Sequence, residues 1–350
     1  MDFELTDDQV ALREAAADLL DAKASSRQVR SVVDAGGGYH PGLWSAMAEQ
    51  GWLGIEVPEE AGGVGLGFVE AAVLLEQVGA HVAPAPFLQQ LVATWALAQG
   101  GAAEWVARLV SGEAVATVAW RPVSAEGDAL TGRTEPAIFA PSADVAVVGT
   151  GDALYAVDLA VVGRPARESA MDRTREVGWL EFDAAPATRL GGADLAEAFL
   201  DRGATCHAAE MLGAAQRVLD MSVGYAKERE QFGRPIGSFQ AVKHRCADML
   251  VDVEGMRSAV YWAAWCIAAG DPEASVAAST AKVWCSDAAR RVMGSALQVH
   301  GGIGFTWEHD THLFLKRSQL DQISFGDATF HRSRLADLLR PRVEAGESVV

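Results

Sequence analysis

Two short stretches decide how this sequence is interpreted: YAKEREQFGRPIGSFQ at residues 225–240 and QVHGGIGF at residues 298–305. In the first, the arginine string, Arg229 can form charge-assisted, forked hydrogen bonds to a phosphate group. In the second, the glycine string, Gly301 and Gly302 carry no side chain, so the backbone can approach a ligand closely. Each feature also has an ordinary explanation, because an arginine between two glutamates suits a solvated surface and paired glycines often end a helix.

The two strings belong to the last of three segments that differ in their apolar pattern. Long periodic runs in residues 1–112 predict an N-terminal helical domain. Short apolar runs separated by Gly, Pro and Asp in residues 113–192 predict a small antiparallel β domain. Residues 193–345 predict a C-terminal helical domain that resembles a four-helix bundle. The expected fold class is therefore α+β and mostly α.

Local signals place several helices within these segments. Thr6 with Gln9 three residues later matches a capping box. The sequence Asp271-Pro272-Glu273 is typical of a helix start, with Asp as the N-cap and Pro in the first turn. Continuous periodicity predicts long helices over about residues 194–228 and about residues 239–269.

Both strings resemble hallmarks of the acyl-CoA dehydrogenase family, R-x-x-F-G-x-P-I-x-x-F-Q and Q-x-x-G-G-x-G-F. Residues 51–54 (GWLG) and 58–63 (PEEAGG) resemble the N-terminal pattern of that family, and the likeness covers about residues 3–340. The resemblance implies the acyl-CoA dehydrogenase fold. It also implies the α,β-dehydrogenation of an acyl thioester, in which an α proton is removed and a β hydride passes to a flavin.

The resemblance further implies that the cofactor is FAD and that a neighbouring subunit holds most of it. The contacts expected on this chain are Arg229, Gln231, Phe232, Gln240, Gln298, Gly301 and Gly302. The family implies a homo- or hetero-oligomer, usually a dimer of dimers, and an acyl-CoA or related acyl thioester as the substrate. An electron-transfer flavoprotein or a similar acceptor would take the electrons.

The glutamate that serves as the base in this family is absent from both of its usual places. Most members carry it just before a glycine near the C-terminus, where the matching stretch QISFGD (residues 322–327) has Phe325. A minority carry it on the first helix of the C-terminal domain, and counting back from Arg229 places that position at Gly203. Neither residue can accept a proton, although the reaction requires a positioned general base.

Two other carboxylates are candidates for the base. Asp327 lies two residues after Phe325, and its place before a helical pattern also suits an N-cap. Glu210 interrupts an apolar helical run, where a carboxylate needs a partner or a ligand. Glu210 is therefore either a displaced base or the partner of an arginine.

The predicted β domain also departs from the family pattern. The family strings T-E-P-x-A-G-S-D and W-I-T-N, which wrap the flavin ring, correspond roughly to residues 119–128 and 139–144. The usual side chains are missing from both stretches. Tight flavin binding by this chain's own β domain is therefore not expected.

Composition disfavours several other classes of protein. A formal net charge of −18 disfavours binding to nucleic acid or to an anionic membrane surface. No apolar run approaches the ~20 residues that cross a bilayer, and the acidic N-terminus does not match a secretory signal. A cytoplasmic location is therefore expected. No metal site is expected, because the cysteines lack zinc-ligand spacing; they are Cys206, Cys246, Cys266 and Cys285.

Three hypotheses follow for the function. In the first, the chain resembles the shorter subunit of heteromeric actinobacterial dehydrogenases that act on bulky substrates such as steroid side-chain thioesters, and a partner chain supplies the base. In the second, it is a homomeric dehydrogenase that uses Glu210 or Asp327. In the third, it is a structural or regulatory member of the family with no redox role.

Overall fold

A computed structural model describes residues 4–120 and 123–348 of the chain. Most of these residues are helical. The α-helices are α1 (Asp7–Lys23), α2 (Ser26–Asp34), α3 (Pro41–Glu49), α4 (Phe68–Ala80), α5 (Phe87–Gln99), α6 (Ala103–Val110), α7 (Leu159–Val162), α8 (Ala193–Glu228), α9 (Gln240–Ala269), α10 (Ala274–His300), α11 (Thr311–Ile323) and α12 (Ala328–Glu344).

The middle of the chain forms two small sheets, and a short hairpin follows α8. The strands are β1 (Ala116–Trp120), β2 (Val123–Glu126), β3 (Ala129–Ile138), β4 (Val145–Gly149), β5 (Leu154–Asp158), β6 (Val177–Pro186), β7 (Thr188–Gly191), β8 (Glu230–Gln231) and β9 (Arg234–Pro235). One sheet has the order β1-β4-β5-β7 and the other β2-β3-β6. The predicted middle sheet region is confirmed, with one difference, because β1 and β4 pair in parallel while the other pairs are antiparallel.

The local helix signals agree well with the observed elements. The capping box at α1 is present, since Gln9 N–H donates to Thr6 Oγ1 over 3.2 Å and Thr6 N–H donates to Gln9 Oε1 over 3.0 Å. Helix α10 begins at Ala274, two residues later than the signal with Asp271 as the N-cap suggests. The Asp271 carboxylate instead accepts a hydrogen bond from Glu273 N–H over 2.8 Å and forms the turn before the helix.

Contacts divide the chain into two compact units that do not follow the sequence order. The first unit comprises Met1–Arg13, Leu75–Val82 and Ala204–Val350, and the second comprises Glu14–Leu74 and Ala83–Gly203. The division into domains at residues 112 and 192 stays a prediction. In the first unit, α10 packs against α9, α11 and α12.

In the second unit, a buried glutamine joins α5 to the start of the sheet. The Gln90 amide nitrogen donates to the carbonyls of Leu109 and Ala114, and its oxygen accepts from Ala116 N–H over 2.8 Å. Because all of its hydrogen-bonding groups have partners, the fully buried amide can stabilise this junction instead of weakening it.

In the first unit, α4 and α8 approach until their backbones touch. A Cβ at Gly79 would lie 2.0 Å from the carbonyl oxygen of Glu210, and a Cβ at Gly213 would lie 1.7 Å from that of Glu76. Glycine is therefore required at both positions for this packing distance. The close approach fixes the position of Glu210 relative to α4.

Among the described residues, no helix is long and apolar enough to cross a membrane.

We expect Gly213→Ala to lower the free energy of unfolding by about 3 kcal/mol, because the added methyl group forces the two backbones apart. Gly224→Ala is the matched control on the same helix, since nothing lies within 4 Å of its Cβ position, and alanine there should be neutral or stabilising by up to about 1 kcal/mol. Urea denaturation of both variants measures the difference. Equal stability of the two variants would contradict the close approach.

Candidate cofactor surface and the position of the missing base

The arginine string leaves the end of α8 as a tight hairpin made of β8 and β9. Ile236 N–H donates to the carbonyl of Arg229 over 2.7 Å and closes it. At its tip, Phe232 has a φ of 56° and is 91% exposed. The Phe239 ring contacts Phe232 edge-on at 6.0 Å between centroids, and the Arg234 guanidinium lies 4.2 Å from the Phe239 ring centre. The hairpin therefore displays Phe232 and an exposed Arg229 at the surface.

The glycine string forms an open bend at the end of α10. Gln298 is exposed on the last turn of the helix. Gly301 ends the helix with a φ of 63° and a ψ of −141°, a conformation that disfavours residues with a side chain. Apart from their own chain neighbours, no atom of the described residues is found within 4 Å of the Cβ positions of Gly301 and Gly302. A ligand can therefore reach the backbone at this bend.

A ring stack joins the two strings. Tyr225, four residues before Arg229, stacks on His300 of the glycine string with centroids 4.8 Å apart and planes at 27°. The His300 Nδ1 lies 2.8 Å from the carbonyl oxygen of Ala296. Burial lowers the pKa of His300, so its ring is neutral near pH 7. The structure thus brings the strings together at one end of α8 and α10.

The two remaining predicted contacts lie on the same continuous segment as Arg229. The Gln231 amide donates to the carbonyl of Glu230 over 2.8 Å and is exposed. Gln240 is the exposed first residue of α9, and its Nε2 lies 3.5 Å from Nε2 of His244. All seven predicted contact residues are therefore at least partly accessible on the surface of the chain.

The position expected for the base carries a buried aromatic ring. Phe325 is 3% exposed and has a φ of 55°, an unusual conformation for a bulky residue. Its carbonyl oxygen lies 2.8 Å from Nε2 of the fully buried His331. Burial lowers the pKa of His331 to about 4, so the neutral ring can donate this hydrogen bond and accept one from Ser279, whose Oγ lies 3.2 Å from Nδ1.

The end of α11 and the turn that follows it, residues 321–327, are held from both sides. The fully buried Lys282 ammonium donates to the carbonyls of Asp321 and Gln322 over 2.7 and 3.0 Å. On the other side, the Asp327 carboxylate accepts from Phe330 N–H over 2.8 Å and caps α12. The structure thus places Asp327, one of the two candidate bases, at an exposed helix N-cap.

The other candidate base, Glu210, lies in a fully buried ion pair. Its carboxylate accepts from Arg317 on α11 over 2.9 Å, and both side chains have 0% exposure. Arg317 also reaches the carbonyl of Val82, at 3.4 Å. The sequence allows two explanations for a carboxylate in this apolar helix, a displaced base or the partner of an arginine. The structure places an arginine beside it.

A second buried pair lies next to the first along the same two helices. Nδ1 of His207 on α8 lies 3.0 Å from Oδ1 of Asp321 on α11, and both residues are buried. The His207 ring also contacts Phe325, with centroids 5.8 Å apart and planes at 40°. Sequence reasoning missed both His207 and Asp321, because their separation of 114 residues leaves no local signal.

These buried groups have the residue types of a metal site but a different charge pattern. Ligand atoms of His207, Glu210 and Asp321 lie within 4.8 Å of one another. The Arg317 guanidinium already contacts the Glu210 carboxylate, and the Lys282 ammonium lies on the carbonyl of Asp321. Two side-chain cations therefore supply the positive charge that a metal ion would bring.

The alternative position of the base, Gly203, is a buried residue of α8 in the second unit. The neighbouring Arg202 makes two hydrogen bonds to Glu56, of 2.8 and 3.1 Å. Its guanidinium also lies 4.7 Å from the ring centre of Phe68 and 4.2 Å from that of Trp95. Arg202 thus joins α8 to the N-terminal helices of this unit.

Comparison with known proteins agrees with this arrangement. The model of the acyl-CoA dehydrogenase N-terminal domain matches residues 6–113, and that of the C-terminal domain matches residues 191–339. The acyl-CoA dehydrogenase IpdE2 of Mycolicibacterium smegmatis is 36% identical over 315 residues, which cover 90% of this chain and 93% of that protein. The chain belongs to the acyl-CoA dehydrogenase family.

Two similar solved structures are assemblies named for two chains. The crystal structure of the ChsE4-ChsE5 complex from Mycobacterium tuberculosis matches with a TM-score of 0.89 and 30% identity, covering 97% of this chain and 99% of that one. A variant of the Tcur3481-Tcur3483 steroid acyl-CoA dehydrogenase matches with a TM-score of 0.89 and 32% identity, covering 96% and 99%. These matches confirm the predicted acyl-CoA dehydrogenase fold.

The exposed end of α8 and α10 suits part of the FAD cofactor that members of the family bind. It offers an arginine for phosphate, amides for polar edges, a flat phenyl ring and a bare glycine backbone. Exposed apolar side chains in the two strings, or just after the glycine string, add to this surface; they are Phe232, Ile303, Phe305 and Trp307. These groups therefore suit a ligand that lies on this surface and is covered on its other side.

In the β region, the stretches that correspond to flavin-binding strings lie partly in the core. Trp120 is buried against Phe199, with ring centroids 6.3 Å apart. Phe139 is fully buried and contacts Tyr39 edge-on at 6.5 Å. Residues 121–122 lie outside the described residues. Large aromatic side chains thus fill core positions in both stretches.

We expect Arg317→Met to lower the free energy of unfolding by about 3–5 kcal/mol, because the buried Glu210 carboxylate loses the guanidinium that compensates its charge. The double variant Arg317→Met/Glu210→Leu should recover most of that loss, since apolar side chains of similar volume can replace a buried ion pair. Urea denaturation of both single variants and the double variant gives the coupling energy. A coupling below about 0.5 kcal/mol would contradict the buried pair.

Proposed function

We propose that this chain is one subunit of a heteromeric acyl-CoA dehydrogenase and that its partner supplies the catalytic glutamate. The observation that carries the proposal is the pair Phe325 and Gly203, a buried phenyl group and a residue without a side chain at the two places where the family has its base. The family reaction cannot proceed without a group that accepts the α proton.

The remaining candidate carboxylates support this proposal through their surroundings. Asp327 is committed to a helix N-cap and Glu210 to a fully buried arginine. The Glu210 carboxylate already accepts a hydrogen bond from Arg317, and neither side chain is exposed to a ligand on the surface. Use of Glu210 would also require Arg317 to lose its partner in the core, which costs several kcal/mol.

FAD, when bound, accepts the hydride from the substrate. Arg229 is proposed to bind its pyrophosphate, and Phe232 to pack on a flat part of the nucleotide. Gln298 and the backbone at Gly301 and Gly302 would complete the surface, with Gln231 and Gln240 at its edge. The exposed amides and the open bend are the features that support these roles.

The exposure of these groups also supports an oligomer. A single chain presents them on an open surface, and the phenyl ring of Phe232 is 91% exposed. Clustered exposed apolar side chains commonly mark an interface with another protein. We propose that a second subunit covers this surface and holds the rest of the cofactor, in a dimer of dimers located in the cytoplasm.

The substrate class is proposed from two of the similar structures. One is named as a steroid acyl-CoA dehydrogenase, and both are named for two chains. We therefore propose a bulky acyl-CoA, such as a steroid side-chain thioester, as the substrate of the complex. An electron-transfer flavoprotein or a similar acceptor would then reoxidise the flavin.

The first expected outcome concerns turnover. The purified chain supplied with FAD should not reduce an artificial electron acceptor with any acyl-CoA, because it has no group to accept the α proton. A chain that copurifies with it from the native source should carry the glutamate, and the reconstituted complex should turn over. Turnover by the homomer alone would refute the proposal.

The second expected outcome concerns flavin retention. Arg229→Ala should lower the flavin content of the purified complex at least about tenfold, because a charge-assisted bond to phosphate is worth about 1.5–3 kcal/mol. Arg217→Ala, which removes another exposed arginine of α8, is the matched control and should leave the flavin content unchanged. Flavin absorbance per mole of protein measures both. An undiminished flavin content in Arg229→Ala would mean that this arginine does not hold the cofactor.

A further inference from the structure

The position of the missing base is filled by side chains of the first unit. Phe325 and His207 are 3% and 1% exposed, and their ring centroids lie 5.8 Å apart. Asp321 holds the imidazole through its carboxylate at 3.0 Å and is itself fully buried. The loss of the glutamate is thus accompanied by a packed polar arrangement at the same place.

His207 cannot easily turn away from this position. Its Nδ1 is engaged by the Asp321 carboxylate, while the carbonyl of Asp321 accepts from the Lys282 ammonium. Moving the imidazole would separate it from a buried carboxylate, which costs about 1–3 kcal/mol or more for a charged group. The imidazole is therefore a fixed neighbour of whatever side chain occupies position 325.

A glutamate at position 325 would meet this imidazole. The carboxyl carbon of glutamate and the centre of a phenyl ring both lie about two bond lengths beyond Cβ. With the χ1 rotamer of Phe325, the carboxylate would therefore lie near the present ring centre. The imidazole would then have two carboxylates beside it, the introduced one and that of Asp321. Two adjacent negative charges favour the protonated imidazolium.

We propose that His207 is a second determinant of the loss of the base: a carboxylate restored at position 325 would form an ion pair with His207 instead of removing the substrate's α proton. This inference rests on the proposed function, in which the chain has no base of its own. An ion-paired carboxylate binds a proton less strongly, and effective general bases have a pKa near the working pH. Both residues, not Phe325 alone, then separate this chain from a competent dehydrogenase.

Other charged and titratable groups around this position come from four helices. They are Glu210 on α8, Lys282 on α10, Arg317 and Asp321 on α11, and His331 on α12. Glu210 and Arg317 compensate each other, and His331 is neutral above about pH 4. Above that pH, the imidazole of His207, which contacts the Phe325 ring, is a group that can compensate a charge introduced at position 325.

The test compares Phe325→Glu with the uncharged control Phe325→Gln in the full chain, by thermal denaturation from pH 4 to pH 9. The ion pair requires an ionised carboxyl group and a protonated imidazole, so it is lost at low pH, where the carboxyl group is protonated, and at high pH, where the imidazole is neutral. We expect Phe325→Glu to melt at least about 2 °C above Phe325→Gln near pH 6. The difference should reverse by pH 9, where the carboxylate is buried beside a neutral imidazole.

Adding His207→Val to each of the two variants isolates the role of the imidazole. Without it, Phe325→Glu should melt below Phe325→Gln throughout the neutral range. The proposal is overturned if the pH profile of Phe325→Glu does not depend on His207. It is also overturned if Phe325→Glu fails to fold while Phe325→Gln folds, because the proposal supplies the introduced charge with a partner.

Turnover by the unaltered chain would instead refute the proposed function, so the two failures are distinguishable.

Discussion

The buried pair of Glu210 and Arg317 is the interaction on which the first unit depends. Two charges with no exposure to water are tolerable only if each compensates the other, because desolvation costs several kcal/mol per ion. The pair His207–Asp321 lies beside it, so two contacts join α8 and α11. Together they fix the register of one helix along the other. That register places the turn after α11, and with it Phe325, against α8.

Helix α8 serves a different purpose at its far end, where it meets the end of α10. The stack of Tyr225 on His300 holds the ends of α8 and α10 together, and the arginine and glycine strings extend from there into solvent. The buried contacts of α8 and its exposed end lie on one continuous helix. The chain thus combines a buried interior with polar contacts around Phe325 and an open surface at the end of α8 and α10.

Sequence reasoning succeeded where the physical signal is local and failed where it is not. Helix α8 was predicted at about residues 194–228 and spans Ala193–Glu228, because a long periodic pattern has few alternatives. The parallel pairing of β1 with β4 was missed, because a single short apolar run does not indicate which strand it pairs with. Glu210 was recognised as needing a partner, but only the fold could select Arg317 from among the arginines of the chain.

The conformation of Phe325 is one that its surroundings must hold in place. A bulky residue with a φ of 55° costs of order 1–3 kcal/mol, and it persists only where the surroundings fix it. Here His331 binds its carbonyl, Lys282 binds the end of α11 and Asp327 caps α12. The ring itself packs against His207, so contacts on the backbone and on the side chain together hold Phe325 in this conformation.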